Sequence, residues 1–191
     1  MTTTDPQRRL AAIDFSRDIA RLTRDFTGRD WLFDEVGQWL RRGEQRFFIL
    51  TGEPGVGKNA FVARLTQVGE HVAAHHFCVA GRSSTVVPGA IFRSLAAQLV
   101  DSLPGYDEAL VNTIQPEYLS IEVDIDVRHL AGGQVKGVVI ENLYAPNPRQ
   151  VVDVLLRAPL AEMDATRDPC LILIGALDAA VAYGGEANLV R

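Results

Sequence analysis

Apolar side chains recur along this chain at two periods, and the switches between them predict its elements. Residues 6–25 carry Leu10, Ile13, Ile19 and Leu22 at helical spacing among Arg and Asp, the pattern of a charged amphipathic helix. From Asp30 to Arg42 a second helix is expected, with Trp31, Leu32, Val36, Trp39 and Leu40 on one face. Phe47–Leu50 is a run of strand formers, and the helical period returns over residues 58–69. A second strand reads at Ala73–Ala80. A helix at Pro88–Leu103 carries Ile91, Leu95, Leu99 and Leu103 on one face, and Pro104-Gly105 ends it. A shorter helix follows at Asp107–Ile114.

Residues 119–127 alternate apolar and acidic positions, which calls for a half-exposed strand. Val135–Leu143 returns beside it across a turn at Ala131–Gln134, forming a β-hairpin. Asn147–Met163 is amphipathic, with Pro159 expected to bend or shorten its helix. Cys170–Leu177 suits a buried strand. Strands alternating with helices predict an α/β fold with a mainly parallel sheet between helical layers.

The chemistry lies where the Phe47–Leu50 strand runs out. Gly52-Glu53-Pro54-Gly55-Val56-Gly57-Lys58 has the G-x-x-x-x-G-K spacing of a phosphate-binding P-loop, followed by Asn59 and Ala60. Gly52, Gly55 and Gly57 permit backbone conformations in which successive N–H groups converge on phosphate oxygens. The following helix adds its free N-terminal N–H groups and its dipole. Lys58 brings a full charge to the β- and γ-phosphates. Asn59 stands where a Ser or Thr hydroxyl normally holds magnesium. The plainer alternative is an ordinary glycine-rich strand-to-helix turn; the nucleotide fold is favoured over it because the flanking strand and helix patterns also fit.

Composition narrows the setting without naming the chemistry. The 191 residues are 47% hydrophobic and 23% charged with a net charge of −5, ordinary for a soluble domain and adverse to a nucleic-acid surface. No apolar run is long enough for a membrane span, and the start lacks a secretion signal. A cytoplasmic protein is expected, with Cys78 and Cys170 as buried reduced thiols. Glu122, Asp124 and Asp126 recur at period two, so they read as the wet face of a strand rather than a metal site.

The Phe26-Thr27-Gly28-Arg29 turn, followed by an acidic-aromatic helix, a strand and a P-loop, resembles the entry to STAND-type (NACHT-like) signalling ATPases, relatives of AAA+ proteins. The resemblance continues through HHFCVAG, VKGVVIENLY and CLILIGALDAAVAYGGEANLV. It implies a P-loop NTPase three-layer α/β/α core over residues 26–191, preceded by a helical arm at 1–25 and carrying the hairpin as an insertion. It places Phe26, Gly28 and Arg29 near adenine, Gly52–Lys58 on the phosphates, and Asp178 as the second acid of a Walker B motif. The chain departs from the family pattern at Asn59, Gly175 and Ala179, all positions that serve magnesium and water.

The family's sheet order, 5-1-4-3-2, puts one strand between the P-loop strand and the Walker B strand. The sequence ends soon after Walker B, so the expected sheet is incomplete. Either the Phe47 and Cys170 strands pair directly or a gap lies between them. The resulting expectation is an ATP- or ADP-binding module with little or no hydrolysis and with magnesium binding disfavoured. The alternatives are a non-binding interaction or decoy module that associates through the incomplete sheet, and a decayed fragment. An active NTPase with acids from a partner, or from Asp178 and Glu186, is the remaining possibility.

Overall fold

The computed structural model describes residues 10–113, 122–125, 128–130, 133–135, 138–141, 148–163 and 168–182. The first helix, α1 (Ser16–Thr23), is shorter than its pattern because residues 10–15 take no regular structure; Asp14 Oδ1 accepts the Ser16 N–H at 2.8 Å instead. After it come α2 (Asp30–Arg42), α3 (Lys58–Val68) and β1 (Val72–Phe77). A short 3-10 turn at Ser83–Thr85 leads to α4 (Pro88–Ser102) and α5 (Tyr106–Thr113). Pro at the first position of α4 gives up only an N–H that would be unpaired there.

The hairpin region contains β2 (Glu122–Ile125), β3 (Arg128–Leu130), β4 (Gly133–Val135) and β5 (Val138–Glu141). Glu122 lies opposite Glu141, and Leu130 opposite Gly133, so the two antiparallel ladders share one register. The expected strand ends at 119–121 and 142–143, Asp126 and the 131–132 part of the turn lie outside the described residues, as does Glu186.

The Asn147–Met163 helix breaks into α6 (Pro148–Val152), one wide turn at Asp153–Arg157, and α7 (Ala158–Glu162). Pro159 explains the break: it has no N–H for the Leu155 carbonyl four residues back, and its ring crowds that carbonyl. The freed Leu155 oxygen accepts a hydrogen bond from the buried Tyr106 hydroxyl on α5. The chain continues through β6 (Leu171–Gly175) into α8 (Leu177–Val181), turning at Ala176 in the left-handed region, φ 54°.

β1 and β6 pair in parallel, with Phe77 opposite Gly175. Helices pack on both faces of this pair. Leu171 and Leu173 join Leu32, Val36, Phe61 and Leu65 of α2 and α3, whereas Ile172 joins Ile91, Leu95 and Leu99 of α4 with Tyr106 and Leu155. The protein is therefore a mixed α/β molecule around a short two-stranded parallel sheet, the only parallel pairing among the described residues.

The expected P-loop strand is a correction. Residues 47–50 take no regular structure and pair with no described strand, and β6 takes β1 as its partner, so direct pairing of the Phe47 and Cys170 segments is not found among the described residues. A strand is stable only where neighbouring backbone meets its N–H and C=O groups, and no described strand flanks this one. Phe48 nevertheless lies against Trp39, with ring centroids 5.6 Å apart, and Leu50 packs on the α2–α3 cluster. Cys170 is exposed rather than buried, at the residue before β6 begins, while Cys78 is buried. No described helix is long and apolar enough to cross a membrane.

Candidate functional site

The glycine-rich loop enters α3 through backbone shapes that its glycines make cheap. Gly55 and Gly57 have φ of 85° and 83°, in the left-handed region where a Cβ is disfavoured. Glu53, Pro54 and Val56 stand exposed around them. Lys58, the first residue of α3, folds back over the loop, its Nζ donating to the carbonyls of Gly52 at 2.6 Å and Glu53 at 2.9 Å. The ammonium is thereby held above the loop at the N-terminal end of an eleven-residue helix. Helix dipole and ammonium both favour negative charge at this point.

The Phe26–Arg29 turn reaches the same loop. Gly28 and Arg29 follow one another in the left-handed region, φ 70° and 67°, and this reversal swings the Arg29 side chain towards α3. Its guanidinium donates to the carbonyl of Gly57 at 3.3 Å and also to that of Val56. A Cβ on Gly57 would sit 2.9 Å from that guanidinium, so a larger residue there would push the Arg29 side chain aside. Phe26 meets Phe33 edge to face at 6.1 Å, and Phe33 meets Phe61 of α3 at 4.7 Å. These rings tie the turn to the helix that the loop feeds.

The residues expected to serve magnesium are arranged differently. Asn59 and Gly175 do converge: a Cβ placed on Gly175 would lie 3.7 Å from Asn59 Oδ1. The same Cβ would come within 2.7 Å of Phe77 Cδ1, so the phenyl ring fills the space beside Gly175. Asp178 is exposed in the first turn of α8, and its charge reaches Cys78, whose thiol is pushed up to about 11 by burial and, secondarily, by that carboxylate. Ala179 packs against the α4 core cluster and has its place there as an apolar residue. Gly52–Asn59 and Phe26–Arg29 are thus brought together, Gly175 abuts Asn59, and Asp178 with Ala179 belongs to the α8 turn.

Phe77 and Phe15 were not foreseeable as site residues. In sequence each is one more apolar residue in a run, and only the fold sets Phe77 against Gly175 and Phe15 against Phe77. Phe15, Ile19, Ala63 and Phe77 form one buried cluster, so the packing of α1 on α3 backs the phenyl ring.

A family model described as Nephrocystin 3, N-terminal, matches residues 27–130, more than half of the chain, and the protein belongs to that family. The match takes in the Arg29 turn, the loop, Lys58 and β1. No curated protein and no solved structure matches the chain.

Proposed function

We propose that this member of the nephrocystin 3, N-terminal family binds the phosphates of ATP or ADP in the loop Gly52–Lys58 and serves as a nucleotide-binding module of the STAND signalling type. The observation that carries the reading is the convergence of Lys58, Arg29 and the glycine-shaped loop at the start of α3. Both cations are bonded to loop carbonyls, and a polyphosphate entering the loop offers them charged acceptors, which make stronger hydrogen bonds than neutral ones. Hydrolysis is expected to be slow or absent. Phosphoryl transfer depends on electrostatic stabilisation by a metal and on an oriented water, and Asn59, Gly175 and Ala179 supply no anionic ligand or base.

The reading is tested by thermal unfolding with ADP and ATP. A nucleotide at a hundredfold excess over its Kd should raise the midpoint by roughly 5–10 °C. Lys58→Ala should abolish most of that rise. A midpoint that no nucleotide moves, or a rise that Lys58→Ala leaves intact, would sink the reading.

A second reading, an interaction or decoy module that needs no nucleotide, is favoured by one observation. Phe47 and Ile49 are each 81% exposed beside the loop, an apolar surface suited to a protein partner or a second copy. The two readings are compatible, and only the first gives Lys58 a role.

A further inference from the structure

We infer that the phosphate site takes its nucleotide without a divalent cation, and that the Phe77 ring, seated on Gly175, is the residue that excludes the metal. The inference rests on the nucleotide reading above and assigns a role to residues outside the loop.

In P-loop sites the metal is held from two sides, by the residue after the P-loop lysine and by an acid at the end of a neighbouring strand. Asn59 and Gly175 occupy those two places here and lie next to each other. Asn59 offers one neutral amide oxygen. At Gly175 the difficulty is more than a lost carboxylate, because any side chain would meet Phe77 at 2.7 Å (Cδ1) and 3.0 Å (Cε1). Carbon atoms attract at about 3.5–4.0 Å, so the ring and a side chain at 175 exclude each other.

Phe77 is also held where it is. It is buried, and the Phe15 ring packs against it edge to face with centroids 5.5 Å apart. Ala63, one turn beyond Asn59 on α3, is fully buried in the same cluster. Immediately after Phe77, the Cys78 N–H donates to the Gly175 carbonyl at 2.9 Å, fixing the two strand ends against each other. The ring cannot swing away without disturbing the packing of α1 on α3 and β1.

Magnesium demands six oxygen ligands at about 2.0–2.1 Å and gives up its water reluctantly. A phenyl edge where one anionic ligand should stand cannot replace that water. Phosphate charge would be met instead by Lys58, by Arg29 and by the loop amides, none of which needs a metal.

The test is calorimetric titration of ADP into the full chain, in EDTA and in excess magnesium. Binding should be no tighter in magnesium than in EDTA. Affinity about tenfold or more tighter in magnesium would overturn the inference while leaving the nucleotide reading intact. Binding in neither buffer would overturn both. Two variants assign the effect to the ring. N59S/G175D, which keeps Phe77, should remain indifferent to magnesium, and N59S/F77A/G175D should bind about tenfold tighter with it. A magnesium response in N59S/G175D alone would remove Phe77 from the argument. Should either variant fail to fold, the wild-type comparison still decides the metal question. Manganese titrated with ADP and followed by electron paramagnetic resonance then reads the same site directly, and a bound-metal signal there would overturn the inference.

Discussion

Arg29 shows how a single residue acquires a role that its sequence position does not announce. A non-glycine residue in the left-handed region costs about 1–2 kcal/mol, and Arg29 accepts that conformation directly after Gly28, which does so freely. What it gains is reach: two loop carbonyls lie within hydrogen-bonding distance of its guanidinium. Strain of this kind persists only where surrounding contacts hold it. Arg29→Gly separates the two effects, because it relieves the backbone while removing the guanidinium. We expect Arg29→Gly to unfold in urea within about 1 kcal/mol of wild type, whereas Arg29→Ala loses more. Both should lose most of the ADP-induced thermal shift. A full ADP response in Arg29→Gly would reduce Arg29 to a structural contact. The glycine turn into α3 at Lys58 was legible from spacing, because it is local in sequence. The target of Arg29, 27 and 28 residues away, was not. Nor was Phe77, whose part depends on which strand lies beside β1.

Helix positions were legible to within a few residues in α2–α5, where apolar periodicity and Pro–Gly punctuation agree. Two elements departed from their patterns, each for a backbone reason. The Phe47–Leu50 run has the composition of a strand but, among the described residues, no neighbouring strand to bond to. The segment before Pro159 has the composition of a helix, yet its hydrogen-bond ladder must widen to pass the proline. The second case carries a prediction, because Tyr106 repairs what Pro159 removes. Tyr106 and Leu155 are both fully buried, so the Leu155 carbonyl has no ready access to water. Tyr106→Phe strands that oxygen and should destabilise the protein by about 1–3 kcal/mol in urea unfolding. Pro159→Ala restores an N–H at position 159 that can return the bond within the helix. In that background the same Tyr106→Phe change should cost distinctly less. Equal losses in the two backgrounds would show that the hydroxyl acts by packing and not by supplying the missing donor.

At the scale of the molecule, β6 has β1 as its described partner, and no described strand lies beside the segment before the loop. The chain treats the two sides of this segment differently. Phe48, itself exposed, lies against Trp39 and Leu50 packs on the α2–α3 cluster, while Phe47 and Ile49 are far more exposed. The period-two alternation of a strand is therefore kept although no ladder is formed. An exposed apolar row with no strand beside it among the described residues is a template for pairing with another chain. Light scattering over a concentration series should accordingly show self-association. Phe47→Lys with Ile49→Glu places charges on the outward row and leaves Phe48 and Leu50 in their packed positions. This double variant should stay monomeric across the same series, and its stability should change by no more than about 1 kcal/mol, since substitutions at exposed sites rarely cost more. Wild type that stays monomeric, or association that the charged pair does not disturb, would mean that this row is not the contact. Association that persists when ADP saturates the loop would place the contact and the phosphate site on independent surfaces. Association released by ADP would instead make residues 47–50 the link between the nucleotide and the partner.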